Sequence, residues 1–280
     1  MTSLWNVVSI PGSRLRRKAS AAWRRFLHFF AAVEQAPDVN VPEALGPQLL
    51  ALDSGLGLFR LVHLLDALTR QPIPRTAVSI GSGGGIHEAY LASRYPKMSV
   101  VGVDLRAPTV GIALPNLRFL QGDLLVSDFR QSIPPADFVF SIECLEHITD
   151  DASIFRAMAS LVRPGGRLYL EVPFANDAEQ ADPDLCRRER DAFEHVRPGY
   201  SAQQLIARAE NEGLQVLEVA GAFWFPTQPI VWVATQQLGV TSLLPHWRTF
   251  LSIAQLDVLP GRPGSRADAT AIKLLAQRPL

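Results

Sequence analysis

The sequence predicts an α/β protein in which helices cover both faces of a mostly parallel sheet. Short apolar segments alternate with helical segments along the chain, and three of the apolar segments end in acidic residues. Such alternation is typical of right-handed crossover units, which place successive strands parallel. The carboxyl ends of parallel strands form a ligand crevice, so we expect the acidic residues to meet at one site.

The first 40 residues are predicted to form a basic, amphipathic N-terminal extension. They carry a net charge of +4, whereas residues 41–280 carry −4. On a helix, all the basic residues of 14–33 except Arg16 fall opposite an apolar, aromatic face. This pattern is typical of a helix on an anionic membrane surface, so residues 14–33 predict peripheral membrane binding. Packing of the apolar face on the main domain and organellar targeting are the alternatives.

Residues 41–71 are predicted to form an entrance region that packs beside the ligand site. Its apolar residues recur at helical spacings of three and four, as in Leu58, Leu61, Val62, Leu65 and Leu68. Prolines at 72 and 74 resist helix and mark the boundary of the main domain, residues 72–280.

The main domain begins with an apolar strand, Ala77 to Ile80, that leads into a glycine-rich loop and a helix. The loop, residues 81–85, can adopt positive φ and approach a ligand closely. The helix N-terminus that follows presents free N–H groups. A dinucleotide fingerprint would need glycine at position 86, which is Ile86. The loop therefore indicates another nucleotide-type site, with a merely structural turn as the alternative.

Acidic residues close the next three predicted strands, which are Ser99 to Val103, Leu117 to Leu120 and Asp137 to Ile142. The first is followed by Asp104, 23 positions after the first glycine of the loop, where an acid can accept hydrogen bonds from both ribose hydroxyls. The second is followed by Gly122-Asp123 and the third by Glu143.

Taken together, these segments resemble the class I S-adenosylmethionine-dependent methyltransferases. The resemblance covers roughly Pro72 to Gln277, and it includes Ser141-Ile-Glu-Cys-Leu-Glu-His-Ile-Thr-Asp150 and a turn and fifth strand within Leu161 to Pro173. It implies a Rossmann-like sheet of seven strands. The last two, Gln215 to Ala220 and Ala269 to Ala276, would be an antiparallel pair.

The resemblance also implies S-adenosyl-L-methionine as cofactor. The glycine loop would hold its methionine part, Asp104 its ribose and Asp123 its adenine amine. The family usually has an acid two residues before the first glycine, where this chain has Ser79, so the methionine ammonium would depend more on backbone carbonyls. The full set of implied contacts is Gly81, Ser82, Gly83, Gly85, Asp104, Leu105, Gly122, Asp123, Leu124 and Ser141.

A weakly charged, aromatic insertion is predicted at about residues 222–265. Residues 222–261 contain two charged side chains, Arg248 and Asp257. Prolines and glutamines interrupt any run long enough to span a membrane. The insertion would form a lid over a hydrophobic acceptor, a homodimer interface, a membrane-facing shelf or a plain packed element.

Candidate catalytic residues are Glu143 and His147, at the end of the fourth strand, and His195. A sulfonium methyl is already activated, so a base is needed only if the acceptor has a proton to lose. If a helix starts at Glu143, then Glu143, Glu146 and His147 share a face, and with His195 they form a candidate divalent-metal site. The Glu-x-x-Glu-His pattern resembles metal-assisted O-methyltransferases of polyprenyl quinols and of small-RNA 2′-hydroxyls. A metal-free pocket wall is the alternative.

Composition narrows the class of protein further. The chain has 280 residues, 48% of them apolar, which is enough for one large core and one or two domains. A net charge of zero argues against a general nucleic-acid binder. The two cysteines, Cys144 and Cys186, show no disulfide or metal spacing, so a reducing, cytoplasmic location is expected.

The family resemblance, together with the apolar insertion and the basic extension, implies a methyltransferase that modifies an oxygen of a hydrophobic or lipid-linked acceptor. One alternative is a methyltransferase of a soluble small molecule or glycan. Another is a cofactor-binding scaffold, without catalysis, in a membrane-associated biosynthetic complex. Ser79 and the basic extension favour the scaffold.

Overall fold

The computed structural model describes residues 40–223, 231, 234–235, 237–258 and 269–280. The predicted helix at 14–33 therefore lies outside the described residues, as do Trp224, Phe225 and Trp232 of the insertion. Among the described residues, no helix combines the length and the apolar character needed to cross a bilayer.

In the described part of the chain, seven strands form one sheet with the order β3-β2-β1-β4-β5-β7-β6. The first five strands are parallel, and β7 runs antiparallel to both β5 and β6. This arrangement confirms the predicted fold. The strands are β1 (Thr76–Ile80), β2 (Ser99–Asp104), β3 (Leu117–Gln121), β4 (Ala136–Ile142), β5 (Val162–Pro173), β6 (Gln215–Ala222) and β7 (Ala271–Gln277).

The strand order reverses direction beside β1, which places a crevice at the carboxyl ends of β1 and β4. Ser79 near the end of β1 pairs with Gly102 of β2 on one side and with Phe140 of β4 on the other. Residues that follow these strands therefore gather at one edge of the sheet.

Helices connect the strands, and several begin at side-chain caps. Ser201 caps the helix that starts at Ala202, and Asp150 caps the one that starts at Asp151. The described helices are α1 (Gly46–Ala51), α2 (Gly57–Thr69), α3 (Ile86–Arg94), α4 (Ser127–Gln131), α5 (Asp151–Ser160), α6 (Asp177–Ala181), α7 (Pro183–Phe193), α8 (Ala202–Asn211), α9 (Val240–Leu243) and α10 (Trp247–Gln255). Single 3-10 turns cover Leu52–Gly55, Leu145–His147, Leu244–His246 and Leu256–Val258.

Two apolar cores lie on opposite faces of the sheet. Alternate residues of a strand point to opposite faces, so Ala77 joins one core and Val78 the other. The first core contains the apolar sides of α1, α2, α3 and α10, and the second contains those of α5 and α8. Trp247 of α10 is 4% exposed and covers Gly46 of α1, so the described part of the insertion packs on the entrance region.

A buried charged network joins the entrance region to the sheet. His63 of α2 is fully buried, with its Nδ1 3.0 Å from Glu171 Oε1 and its Nε2 2.8 Å from Asp257 Oδ2. Asp257 Oδ2 also accepts a hydrogen bond from the backbone N–H of Phe223. Burial alone would lower the pKa of His63, but the two carboxylates outweigh burial and raise it. The network thus fixes α2 and the end of the insertion against β5.

Candidate active site

A cavity of about 1140 Å³ occupies the crevice at the ends of β1 and β4. The glycine loop forms one wall, and the predicted catalytic residues Glu143, His147 and His195 form another. Arg60 of α2 also lines it. Gly81, Ser82 and Gly83 of the predicted cofactor contacts therefore share one cavity with the predicted catalytic residues, as methyl transfer requires.

The glycine loop has the conformation that its composition predicts. Gly81, Gly83 and Gly85 have φ values of 74, 52 and 82°. A side chain at Gly81 would come within 2.4 Å of Cys144 Sγ, whereas one at Gly83 would meet no atom within 4 Å. Gly81 thus lets the loop pack on the segment after β4, and Gly83 keeps its backbone open to the cavity.

Asp104 fixes the glycine loop to the end of β2. Its Oδ2 accepts a 2.8 Å hydrogen bond from Gly83 N–H, and its Oδ1 accepts one from Arg106 N–H. The neighbouring end of β3 lies alongside, because Gly122 N–H donates to the Asp104 carbonyl. The predicted ribose and adenine contacts therefore lie on adjacent strand ends.

Other predicted cofactor contacts differ in exposure. Asp123 Oδ1 accepts a 2.8 Å hydrogen bond from the N–H of Leu125. Leu105 is 67% exposed, whereas Leu124 is buried. Ser82 lines the cavity, and Ser141 is buried beside the thiol of Cys144.

Glu143 lies outside the helical turn that follows β4. The turn is a 3-10 turn, Leu145–His147, and Glu143 has a φ of 48°. Its N–H donates to the Glu171 carbonyl, and its carboxylate pairs with Arg60 at 2.9 Å. The expected common helix face for residues 143, 146 and 147 is therefore wrong, because β-type pairing with β5 continues past the end of β4.

The structure brings together three of the four predicted metal ligands, which are Glu146, His147 and His195. One ligand atom from each lies within 4.8 Å of the others. Glu146 is fully buried, and its carbonyl accepts a 2.8 Å hydrogen bond from Val196 N–H, which holds the His195 segment beside the turn. The two imidazole rings meet edge to face, with their centroids 4.8 Å apart.

His195 has a fixed orientation. Its Nδ1 lies 3.0 Å from Glu189 Oε2 of α7. Burial lowers the pKa of His195 to about 4, with further lowering by His147 and Arg60, so the ring is neutral at pH 7. A neutral ring that donates from Nδ1 to a carboxylate has its Nε2 lone pair available to an acceptor hydroxyl or a metal ion.

A second charged cluster holds the segment that carries His195. Tyr200 donates to Asp151 Oδ2 at 2.8 Å, and Arg208 donates to the same oxygen at 2.7 Å. Arg197 also pairs with Asp151 and donates to the Ile148 carbonyl at 2.9 Å. The loop between α7 and α8 is thereby attached to the start of α5.

Three residues of the site were not predicted from sequence: Arg60, Glu88 and Glu189. Arg60 is a charged residue within the apolar pattern of α2, which was a detectable signal. Glu88 follows the glycine loop on α3 and is 2% exposed, and Glu189 lies in a mixed-charge segment. Neither of the latter two shows a sequence pattern that separates it from a surface acid.

Comparison with known proteins identifies the family. A family described as "Methyltransferase domain" matches residues 15–219, which is well over half of the chain. The chain therefore belongs to the class I S-adenosylmethionine-dependent methyltransferases, as predicted, and is an enzyme of that class. The open glycine loop and the acid at the end of β2 fit S-adenosylmethionine, the cofactor of this family.

Relatives with known names act on different acceptors. The chain is 30% identical over 170 residues to the ubiquinone biosynthesis O-methyltransferase of Stutzerimonas stutzeri, covering 54% of this chain and 69% of that one. It is 32% identical over 117 residues to the trans-aconitate 2-methyltransferase of Deinococcus radiodurans, covering 40% and 43%.

Solved structures show the same fold at low identity. A geranyl diphosphate methyltransferase matches with a TM-score of 0.56 at 16% identity, covering 78% of this chain and 76% of that chain. Phosphoethanolamine N-methyltransferase 2 of Haemonchus contortus matches with a TM-score of 0.54 at 16% identity, covering 87% and 61%.

Proposed function

We propose that the protein methylates an oxygen of a hydrophobic or lipid-linked acceptor. The main support is the apolar character of the cavity beyond the glycine loop. The ubiquinone-biosynthesis relatives agree with it, since their name specifies O-methylation. The apolar residues that line this part of the cavity are Leu52, Leu56, Phe140, Ile142, Phe174, Leu185, Phe193, Phe223 and Val231.

In this proposal the protein acts mainly by positioning. The bound cofactor supplies an electrophilic methyl group, and alignment of the acceptor oxygen with that methyl can contribute about 7 to 11 kcal/mol. His195 Nε2 accepts a hydrogen bond from the acceptor hydroxyl and orients its lone pair. As the bond between the methyl carbon and the acceptor oxygen forms, the hydroxyl proton passes to His195 Nε2. Because a ring with a pKa of about 4 holds a proton weakly, His195 then releases it to solvent on the side of the exposed His147.

The test is a transfer assay with cofactor labelled in the methyl group. The purified chain is incubated with an extract, and the label is followed into organic and aqueous phases. We expect organic-soluble, base-stable product, and His195→Ala should lower kcat with little change in cofactor affinity. Label confined to aqueous product would favour a soluble small molecule or glycan instead. Cofactor binding without turnover on any extract would favour a scaffold.

A divalent metal is a second proposal, supported by the convergence of Glu146, His147 and His195. Glu189 orients His195 as carboxylates orient metal-bound histidines. Two imidazoles and one carboxylate favour a transition metal over magnesium. A metal here would lower the pKa of the acceptor hydroxyl.

The metal proposal is tested by elemental analysis and by chelation. We expect bound transition metal in wild-type protein, its loss in Glu146→Gln and its retention in Glu143→Gln, whose carboxylate pairs with Arg60. Full turnover in chelator-treated, metal-free protein would exclude a metal role and leave the imidazole route.

The location of the protein is a further proposal that rests on sequence. We propose a cytoplasmic enzyme that binds anionic membranes through residues 14–33 and forms a homodimer through the 222–265 insertion. Flotation with anionic and neutral liposomes tests the first part. Flotation that is unchanged after removal of residues 1–34 would contradict it, and light scattering of the full chain reports the oligomeric state.

A further inference from the structure

The chain lacks an acid where its family usually carries one, and the structure shows a different acid beside that position. Ser79 of β1 is 3% exposed and lines the cavity. Glu88 of α3 is 2% exposed and lines the same cavity, and its carboxyl lies within hydrogen-bonding reach of the Ser79 hydroxyl. An acid thus reaches this end of the cavity from the helix instead of from the strand.

One oxygen of the buried Glu88 carboxylate, Oε2, has no hydrogen-bond donor among the described residues. Burial and, to a smaller extent, the like charge of Asp104 raise the pKa of Glu88 to about 7. Hydrogen bonds from the Ser79 hydroxyl and from the backbone N–H of Glu88 oppose this rise. A buried, half-partnered acid of this kind is destabilising unless a positive ligand joins it.

We propose that Glu88 is the carboxylate that binds the methionine ammonium of the cofactor, in the role that other family members give to an acid at the position of Ser79. The N-terminus of α3, which begins at Ile86, presents N–H groups for the methionine carboxylate. Glu88, on the first turn of the same helix, presents the complementary negative charge. The methionine zwitterion is then bound at both charges, and backbone carbonyls are not the main ammonium partner.

This inference rests on the cofactor assignment and not on the acceptor. It also differs from a purely structural role for Glu88. If Glu88 had only a structural role, its substitution would change stability and would change the affinity equally for cofactors with and without an ammonium group. An ammonium-binding acid distinguishes between them.

The experiment is a cycle of two proteins and two ligands, measured by calorimetry on the full chain. The ligands are S-adenosylhomocysteine and its desamino analogue, in which hydrogen replaces the ammonium. Glu88→Gln keeps the shape of the side chain and removes its charge. We expect Glu88→Gln to lower the affinity for S-adenosylhomocysteine at least about tenfold and the affinity for the desamino analogue less than about twofold. The reason is that a charge-assisted hydrogen bond is lost only with the first ligand.

Two further variants complete the design. Glu210→Gln, an exposed acid on α8, should bind both ligands as wild type does. Ser79→Asp/Glu88→Ser returns the acid to the strand and should recover most of the affinity for S-adenosylhomocysteine. The double variant also keeps the proposal testable if the single variant folds poorly.

Each remaining outcome is decisive. Equal losses for both ligands in Glu88→Gln would mean general damage to the site and would overturn the proposal. Unchanged affinity for S-adenosylhomocysteine would overturn it as well. Failure of wild-type protein to bind S-adenosylhomocysteine at all would instead reject the cofactor assignment and with it the proposed function.

Discussion

The burial of Glu88 has a consequence for the stability of the protein without cofactor. Its carboxyl has a pKa of about 7 when folded, against an ordinary value of 4.5. When the pH lies between these two pKa values, the folded protein binds more protons than the unfolded chain. The free energy of unfolding therefore falls as pH rises. The resulting loss is about 1 kcal/mol at pH 5 and about 3 kcal/mol at pH 8.

Glu88→Gln removes this pH-dependent loss because an amide does not ionise. Relative to wild type, the variant should therefore gain about 2 kcal/mol more in free energy of unfolding at pH 8 than at pH 5. The gain is a difference between two pH values, so a constant effect of the altered hydrogen bond to Ser79 cancels. The same substitution is expected to weaken cofactor binding. Glu88 therefore lowers the stability of the cofactor-free protein and contributes to cofactor binding.

Urea unfolding of cofactor-free protein, followed by circular dichroism at both pH values, measures this difference. Glu210→Gln provides the matched control, since the same chemical change at an exposed site should leave stability nearly constant. An equal effect of Glu88→Gln at pH 5 and pH 8 would refute the reasoning, because Glu88 would then ionise as an ordinary carboxyl in the folded protein.

Three other predictions follow from buried contacts. His63→Gln removes the imidazole that bridges the buried carboxylates of Glu171 and Asp257. It should lower the free energy of unfolding by about 3 kcal/mol or more in urea titration, and a loss below about 1 kcal/mol would contradict a linking role. Gly81→Ala and Gly83→Ala both place a side chain at positive φ, but only the first also meets Cys144, so Gly81→Ala should destabilise the protein more. Gly83→Ala should mainly weaken the binding of S-adenosylhomocysteine in calorimetry, and the reverse order would contradict the loop assignment. Asp151→Asn should raise the KM for the acceptor and leave cofactor affinity unchanged, because the substitution loosens the segment that carries His195. Steady-state kinetics measure both constants, and an unchanged acceptor KM would contradict the prediction.

The fold was predictable because its determinants are local. Apolar strands, the glycine spacing and helical periodicity are properties of short segments, and the parallel order of the strands follows from them. The resemblance to the family supplied the antiparallel pair β6 and β7. The glycine loop illustrates the point, since glycine at 81 and 83 permits the positive φ values that the loop adopts there.

The side-chain contacts of the site depend on tertiary structure and were predicted less well. The spacing suggested that Glu143 would share a helix face with His147. Instead, a backbone hydrogen bond to Glu171 keeps Glu143 at the edge of the sheet, and its carboxylate forms an ion pair with Arg60. Glu88 and Ser79 are nine positions apart, on different elements, and their proximity depends on how α3 packs against β1. No periodic pattern in the sequence predicts such a contact.

The charged groups at the two ends of the cavity are partnered differently. At the cofactor end, Glu88 lines the cavity and Asp104 holds the glycine loop. At the acceptor end the acids are paired, Glu143 with Arg60 and Glu189 with His195. The acids at the cofactor end favour a cofactor that carries both a sulfonium and an ammonium charge. Transfer of the methyl removes the sulfonium charge, so the same acids hold the product less tightly than the substrate. In the proposed reaction the acceptor proton would leave at the opposite end, where the neutral ring of His195 can receive it, so methyl delivery and proton removal would occupy different parts of one cavity.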